Sequence, residues 1–393
     1  MTGYKPRSAP TIGMVSTYPP TTCGLATFTS SLRMALSDLR GSADTLPVVS
    51  VVDAPGDSSE GVLYQHLNGD PASLATAVTR LNQCDVVLIE HEYGIYGGPD
   101  GVEVLSLIGG LTVPAVATLH TVPHSPTPEQ KSILEAIVES TERTIVMSSA
   151  ASLRLVSGYD VDPSRIRVIP HGANPDLAGP PATKGERPVI LSWGLIGPGK
   201  GLETAIAAFA LLGDATPRPR YVILGDTHPK VRAQQGDRYL QGLVAQAEQA
   251  GVSDIVEFDN RYLDPKSLIA MVRSVDMVLI PYDSREQVTS GVLVEAVAAA
   301  KPVVATAFPH AVELLGTGAG IVVPHEDPAA MAAAMRRVLK DPDLARLMGE
   351  TARSVGSTLY WPAVAASYES LFAELVANGA LIPASFRDFE KIA

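Results

Sequence analysis

The chain has 393 residues, 46% of them apolar and 18% charged, with a formal net charge of -12. That length exceeds one ordinary core and predicts two domains, and the composition is that of a well-buried globular chain rather than a disordered one. The acidic balance excludes an extended nucleic-acid surface, which needs clustered Lys and Arg against phosphates, and leaves room for a small cationic pocket.

From the start, "MTGYKPRSAPTIGMVSTYPP" has no apolar core of the signal-peptide kind, and no apolar run is long enough to span a bilayer. Peripheral membrane contact stays open. Cys23 and Cys84 form no CxxC or metal-ligand spacing and no disulfide framework, which suits a cytoplasmic chain.

The first strand is predicted over "TIGMVST", Thr11 to Thr17. The loop "YPPTTCG" follows, then a helix whose Leu25, Phe28, Leu32, Leu36 and Leu39 recur every three or four residues. Short β-branched runs then alternate with helical patterns. "CDVVLIE" ends at Glu90, "VPAVATLH" at His120, "RTIVMS" at Ser148 and "IRVIP" at Pro170. Continuous apolar runs of this kind suit parallel strands covered on both faces. Residues 174–188, "NPDLAGPPATKGERP", are polar and rich in Pro and Gly and read as a linker between domains. The pattern then restarts with the strand "PVILSWG", the loop "LIGPGKG" and the helix "LETAIAAFALL". "RYVILGD", "DIVEFDN", "VDMVLIPY" and "KPVVATAF" are further strands, and the last stretch, from "DPAAM" to "FAELV", is helical throughout. Two strand–Gly loop–helix series predict two doubly wound α/β domains in tandem, with ligands beyond the carboxyl ends of the strands.

In "QVTSGVLVEAVAAAKPVV", Ser290 is a good N-cap, Gly291 permits close approach to the backbone, and the first N–H groups of the helix suit a phosphate. Glu295 lies about one turn further in, where a carboxylate can accept from a sugar diol. From the helix alone two other readings stand: a buried pair with Lys301 and a solvent-facing side chain. Gly194 to Lys200 fits the opening of a P-loop, but position 201 is Gly where that loop needs Ser or Thr for magnesium, which argues against an NTPase. Asp160-Val-Asp162 spells D-x-D between a helix and a strand and reads as a solvated loop. No catalytic metal is expected.

The run "SGVLVEAVAAAKPVVAT" resembles the nucleotide-binding segment of family 4 glycosyltransferases, whose pattern carries two Glu eight residues apart before an "EAxAxGxPVVAT" ending. The resemblance implies that Glu295 holds the ribose of a nucleotide sugar and that Ser290, Gly291 and Val292 meet its diphosphate. Gln287 stands where the first Glu of the pattern would lie against the donor sugar. "GLIGPGKG" resembles the family's "GRLxxxKG", so Lys200 matches the diphosphate Lys, Gly194 its Gly, and Leu195 replaces the Arg. Arg261 and His228 are the substitutes considered for that missing cation. "STYPPTTCGLATF" resembles the family's N-terminal Gly loop, with Gly24 approaching phosphate or acceptor, and "TLHT" places His120 where the matching His contacts the donor sugar. "IEHEYGIYGGPDG" resembles the "QHEYGIFGG" run of one subgroup, which puts His91, Glu92 and Tyr93 on the acceptor side. His171 in "VIPHGAN" reads as structural.

The family implies the GT-B fold: two Rossmann-like domains facing a central cleft, with a C-terminal helix crossing back to the first. The expected division is an acceptor domain over 1–175, a nucleotide-sugar domain over 176–360 and the returning helix over 361–393. The implied reaction is metal-independent hexosyl transfer with retention, from a GDP-mannose or UDP-hexose type donor to a carbohydrate or small-molecule hydroxyl. His120, Lys200 and Gln287 would flank the reacting centre, and no cofactor beyond the donor is required. The rival readings are a nucleotide-sugar epimerase and a catalytically silent sugar-nucleotide-binding protein, the latter because Gln287 and Leu195 replace charged residues of the reaction centre.

Overall fold

A computed structural model describes residues 9–179, 185–213 and 217–377. The chain forms two compact units, one running through Gly172 and resuming at Trp361, the other Ala173–Tyr360. The crossing at Gly172 comes just ahead of the Pro- and Gly-rich stretch. Within that stretch, Pro175–Ala178 forms a 3-10 turn whose Leu177 is buried in the second unit's core, and residues 180–184 lie outside the described residues.

Among the described residues, the first unit holds seven parallel strands: β1 (Ile12–Ser16), β2 (Val48–Val52), β3 (Val62–Leu67), β4 (Val86–His91), β5 (Ala115–Leu119), β6 (Arg143–Val146) and β7 (Ile166–Val168). Their order is β3-β2-β1-β4-β5-β6-β7. The second unit holds six parallel strands: β8 (Val189–Trp193), β9 (Arg220–Leu224), β10 (Val256–Asp259), β11 (Met277–Ile280), β12 (Val303–Thr306) and β13 (Gly320–Val323), in the order β10-β9-β8-β11-β12-β13. Each order reverses beside its first strand, at β1/β4 and at β8/β11, and a crevice opens beyond the strand ends at such a switch. β2, β3 and β13 had no counterpart in the predicted strands.

Alternation along the strands feeds two cores in the second unit. Leu191, Val222 and Val278 pack on one face of the sheet, while Ile190, Ile223 and Leu279 pack on the other. In the first unit the helix Gly24–Arg40 buries Leu25, Phe28, Leu32 and Leu36, as the periodicity predicted. Leu39 departs from it and is 52% exposed, because in the last turn the neighbouring Arg40 is the residue turned inward, bonded to Glu369 and the Pro10 carbonyl. The helix Trp361–Ala377 closes the same core. Its Tyr368 and Phe372 are fully buried, the Tyr368 hydroxyl lies 3.1 Å from Thr118 Oγ1, and Glu369 accepts from the buried Arg40 at 2.8 Å. No helix among the described residues is long and apolar enough to cross a membrane.

The turn that follows the helix Gly291–Ala298 puts Ala300 at φ 54, in the left-handed region that favours glycine. Ala300→Gly should therefore raise stability by about 1 kcal/mol, seen as a higher urea midpoint. An unchanged or lower midpoint would show that this turn carries no strain.

Candidate functional site

In the second unit the chemistry gathers beyond β8 and β11. The loop after β8 is folded tightly onto the segment after β11: the Asp283 amide donates to the Gly199 carbonyl at 3.0 Å. Gly201 has φ 65, and a Cβ on it would lie 1.7 Å from the Pro281 carbonyl oxygen. A Ser or Thr has no room there, which is the physical reason the P-loop pattern stops at Lys200. Gly225, at φ 139, lets the loop after β9 approach in the same way: a Cβ there would lie 2.0 Å from the Gly194 carbonyl. The crowding places Lys200 Nζ 4.3 Å from the centroid of the Tyr282 ring, a cation–π contact. Tyr282 is itself anchored, its carbonyl accepting from Thr306 Oγ1 at 2.5 Å and from His325 Nδ1 at 2.9 Å.

Ser290 caps the helix Gly291–Ala298, its Oγ accepting from Leu293 N at 3.2 Å, as the sequence predicted. The Ser290 amide itself donates to His310 Nδ1 at 2.9 Å, and the His310 amide donates to the Gln287 carbonyl at 3.4 Å. Burial pushes the His310 imidazole down to about 4, which keeps Nδ1 an acceptor at neutral pH. The loop 287–290 is thus clamped by a histidine 20 residues further on. Gln287 does not reach out: its Nε2 donates to the Thr289 carbonyl at 2.9 Å. With Leu293 N taken by Ser290, the amides of Gly291 and Val292 have no partner among the described residues. They are the donors an anion would meet.

One turn further, Glu295 Oε2 accepts from Trp193 Nε1 at 3.2 Å. Part of its surface stays open, but its surroundings are desolvating enough to push the carboxyl up to about 7, against the pull of the indole N–H. Lys301 is not its partner, since Lys301 Nζ donates to the carbonyls of Arg273 and Val275, both at 2.8 Å, closing the end of the helix Pro265–Ser274. Trp193, Gly194, Leu195, Lys200, Tyr282 and Val292 share one cavity.

The two substitutes for the missing cation are placed differently. Arg261 follows the edge strand β10, two strands from β8, and pairs in bidentate fashion with Asp259 at 2.6 Å while 71% exposed. His228 caps the helix Pro229–Gln235, its Nδ1 accepting from Lys230 N. Burial, Lys230 and Lys200 all push its imidazole down, so it stands close to Lys200 as a neutral ring.

In the first unit, His120 follows β5 and its Nε2 lies 2.8 Å from Glu90 Oε2. Glu90 is fully buried near the end of β4, and its Oε1 has no partner among the described residues. The Phe28 ring meets His120 edge-on at 4.7 Å. Gly24 opens the helix capped by Cys23, whose Sγ accepts from Ala26 N, and the space where a Gly24 Cβ would stand is empty. His91 is fully buried between Tyr93 and Tyr96, both its ring nitrogens lack a partner among the described residues, and burial followed by the nearby His120 pushes it down to about 3. Glu92 accepts from the Tyr93 amide at 3.0 Å and Thr121 Oγ1 at 2.5 Å, while the Tyr93 hydroxyl donates to the Gln130 carbonyl. His171 packs against Phe28 and Trp361. Asp162 caps a 3-10 turn through Ser164, and among the described residues no group of three or more His, Cys, Asp or Glu is placed to hold a metal ion.

The second unit therefore offers an ammonium, two open amides and a desolvated carboxylate at one switch point, a set that suits an anionic group joined to a vicinal diol. The first offers an imidazole backed by a buried carboxylate. Trp193, His310 and Glu90, which hold Glu295, the 287–290 loop and His120, were not singled out from the sequence.

Comparison with known proteins matches residues 176–355 to the family described as "Glycosyl transferases group 1" and residues 44–177 to "Glycosyltransferase Family 4". The D-inositol 3-phosphate glycosyltransferase of Corynebacterium jeikeium is 32% identical over 295 residues, 68% of each chain. The protein of the same name from Corynebacterium glutamicum is 28% identical over 389 residues, covering 89% of this chain and 87% of that one. Among solved structures, HepE from Anabaena, crystallised with UDP and glucose, superposes with a TM-score of 0.70 at 16% identity, covering 95% of this chain and all of that one. At that identity the likeness shows the fold, which is GT-B.

Gly201→Ser, the change that would complete the P-loop pattern, should destabilise the protein by about 2–3 kcal/mol through backbone strain and the clash with Pro281. Thermal melting checks it, and an unchanged melting temperature would mean that the loop re-forms without cost.

Proposed function

The chain belongs to the group 1 glycosyltransferases of family 4, and on that premise we propose that it moves a hexosyl group, with retention and without a metal, from a nucleoside-diphosphate sugar to a hydroxyl acceptor. The observation that carries this is Glu295, held by Trp193 one turn behind the open amides of Gly291 and Val292, in the unit that also presents Lys200. The donor's ribose diol donates to Glu295, and its diphosphate takes Lys200 and the helix amides. His120 contacts the transferred sugar. UDP is the first nucleotide to try, because HepE was crystallised with it. A phosphorylated cyclitol is the first acceptor to try, because the relatives are named for D-inositol 3-phosphate. Glu92, Tyr93 and the loop after them would border that acceptor, and Gln287 the donor sugar.

In the proposed step the acceptor oxygen forms the new bond to the anomeric carbon on the face from which the diphosphate leaves. The departing phosphate oxygen takes the acceptor's proton. Charge builds on that oxygen, and a fixed ammonium with oriented N–H dipoles stabilises it without reorganising. Both lie on half-buried residues, where screening by water is reduced.

Calorimetric titration with UDP, GDP, ADP and dTDP, with and without EDTA, tests the donor site. One nucleotide should bind at micromolar Kd regardless of EDTA and be lost in Glu295→Ala; no binding by any of the four would overturn the reading. The pH dependence has a definite sign. A diol donates to the ionised carboxylate, and the free carboxyl titrates at about 7, so affinity should rise as pH increases through 7 and level off above it. Below that point it should fall roughly tenfold per pH unit. Lys200→Ala should lower turnover at least ~100-fold, and near-normal turnover would remove Lys200 from the reaction centre.

A further inference from the structure

Glu90 takes no part in the steps above, yet a carboxylate is a costly side chain to keep buried. Its exposure is zero. It lies two residues beyond Leu88, so it shares the face of β4 that packs against Phe28 and Tyr368. No Lys or Arg among the described residues pairs with it. Among the described residues its carboxylate has one partner, His120 Nε2 at 2.8 Å, and Oε1 has none. A buried carboxylate left half-satisfied beside an apolar core is expensive, and an apolar residue there would relieve the cost.

We propose that Glu90 is a positioning residue for His120: its buried carboxylate takes the Nε2–H, so that the imidazole presents Nδ1 as a fixed hydrogen-bond acceptor at the end of β5. An imidazole with one nitrogen pinned to a carboxylate has its tautomer and ring orientation set by that bond. Phe28 braces the ring from a second direction at 4.7 Å, and His120 Nδ1 has no partner among the described residues. A hydroxyl of the transferred sugar then donates to Nδ1. The assignment rests on the proposed contact between His120 and that sugar, while the imidazole geometry is observable without it.

The test compares Glu90→Gln, Glu90→Leu, His120→Ala and the double variant Glu90→Leu/His120→Ala, each as the full chain. The Gln amide oxygen still accepts the Nε2–H, so Glu90→Gln should keep turnover within about fivefold of the native protein, while Glu90→Leu should lose roughly 100-fold in kcat with nucleotide affinity unchanged. If Glu90 acts through His120, the double variant is no slower than His120→Ala alone. In 15N-edited spectra a His120 Nε2–H resonance, shielded from exchange by the buried acceptor, should be present in the native protein and in Glu90→Gln and absent in Glu90→Leu. Losses that multiply in the double variant would overturn the proposal, as would the lack of a protected Nε2–H in the native protein. The second readout stands even if Glu90→Leu fails to fold. A native protein that shows the protected resonance but neither binds nucleotide nor transfers sugar would count against the transferase reading and leave the Glu90–His120 geometry standing.

Discussion

The approach of two loops in the second unit fixes most of what surrounds it. The Pro281 carbonyl occupies the space where a side chain at position 201 would begin, and the Asp283 amide is tied back to Gly199. Backbone so closely packed leaves Lys200 little choice of direction, and it lies over the Tyr282 ring instead of sweeping through solvent. A flexible ammonium normally loses much rotamer freedom on meeting an anion. Here part of that loss is already incurred in folding. The same crowding explains why a sequence so close to a P-loop has no hydroxyl to offer magnesium: the loop that would hold the metal is filled by a neighbouring strand end.

Each unit then keeps a buried or half-buried carboxylate at a switch point, and in neither case is the partner a Lys or Arg. Glu295 accepts from an indole and Glu90 contacts an imidazole. A Lys or Arg partner would satisfy the charge more fully, but it would also compete with an incoming ligand and cancel the field at the site. An indole N–H supplies direction without charge, so Glu295 stays poised to accept further hydrogen bonds. Desolvation drives its carboxyl up to about 7, and the indole only partly offsets this.

The sequence exposed the residues that belong to local patterns and concealed those that act through tertiary contact. Ser290 as a cap, the strand before Lys200 and the buried stripe of the helix Gly24–Arg40 follow from spacing alone. Trp193 lies 102 residues from Glu295, and Glu90 lies 30 from His120; before the sheets are assembled they read as the last apolar position of one strand and the end of another. His310 reads as a helical residue after "VVATAF", and only the fold brings its Nδ1 to the Ser290 amide. The strand "VLYQHL" was missed because its edge position leaves it half exposed and breaks the apolar run. In "IEHEYG" the unusual composition was visible, but the depth was not: His91 is fully buried, Glu92 is engaged by Thr121 just after β5, and Tyr93 by the first turn of the helix Pro128–Ser140.

Two departures from the family pattern, Leu195 for Arg and Gln287 for Glu, are easier to understand together than apart. One removes a positive charge and the other a negative charge, so the net charge that the pair would contribute is unchanged. On the proposed reading a diphosphate would meet the Lys200 ammonium and the amides of Gly291 and Val292, which have no partner among the described residues, whereas Ser290 N is taken by His310 and Leu293 N by Ser290 Oγ. Arg261 is already neutralised by Asp259, and His228 is kept neutral by burial and by the lysines beside it. Stabilisation of a leaving phosphate would thus rest more on oriented N–H dipoles and less on mobile charge. Such dipoles need no reorganisation when charge develops, but they act only at short range and in fixed directions. That places a premium on the rigidity of the 287–290 loop, and the buried His310 clamp is the structural feature that supplies it.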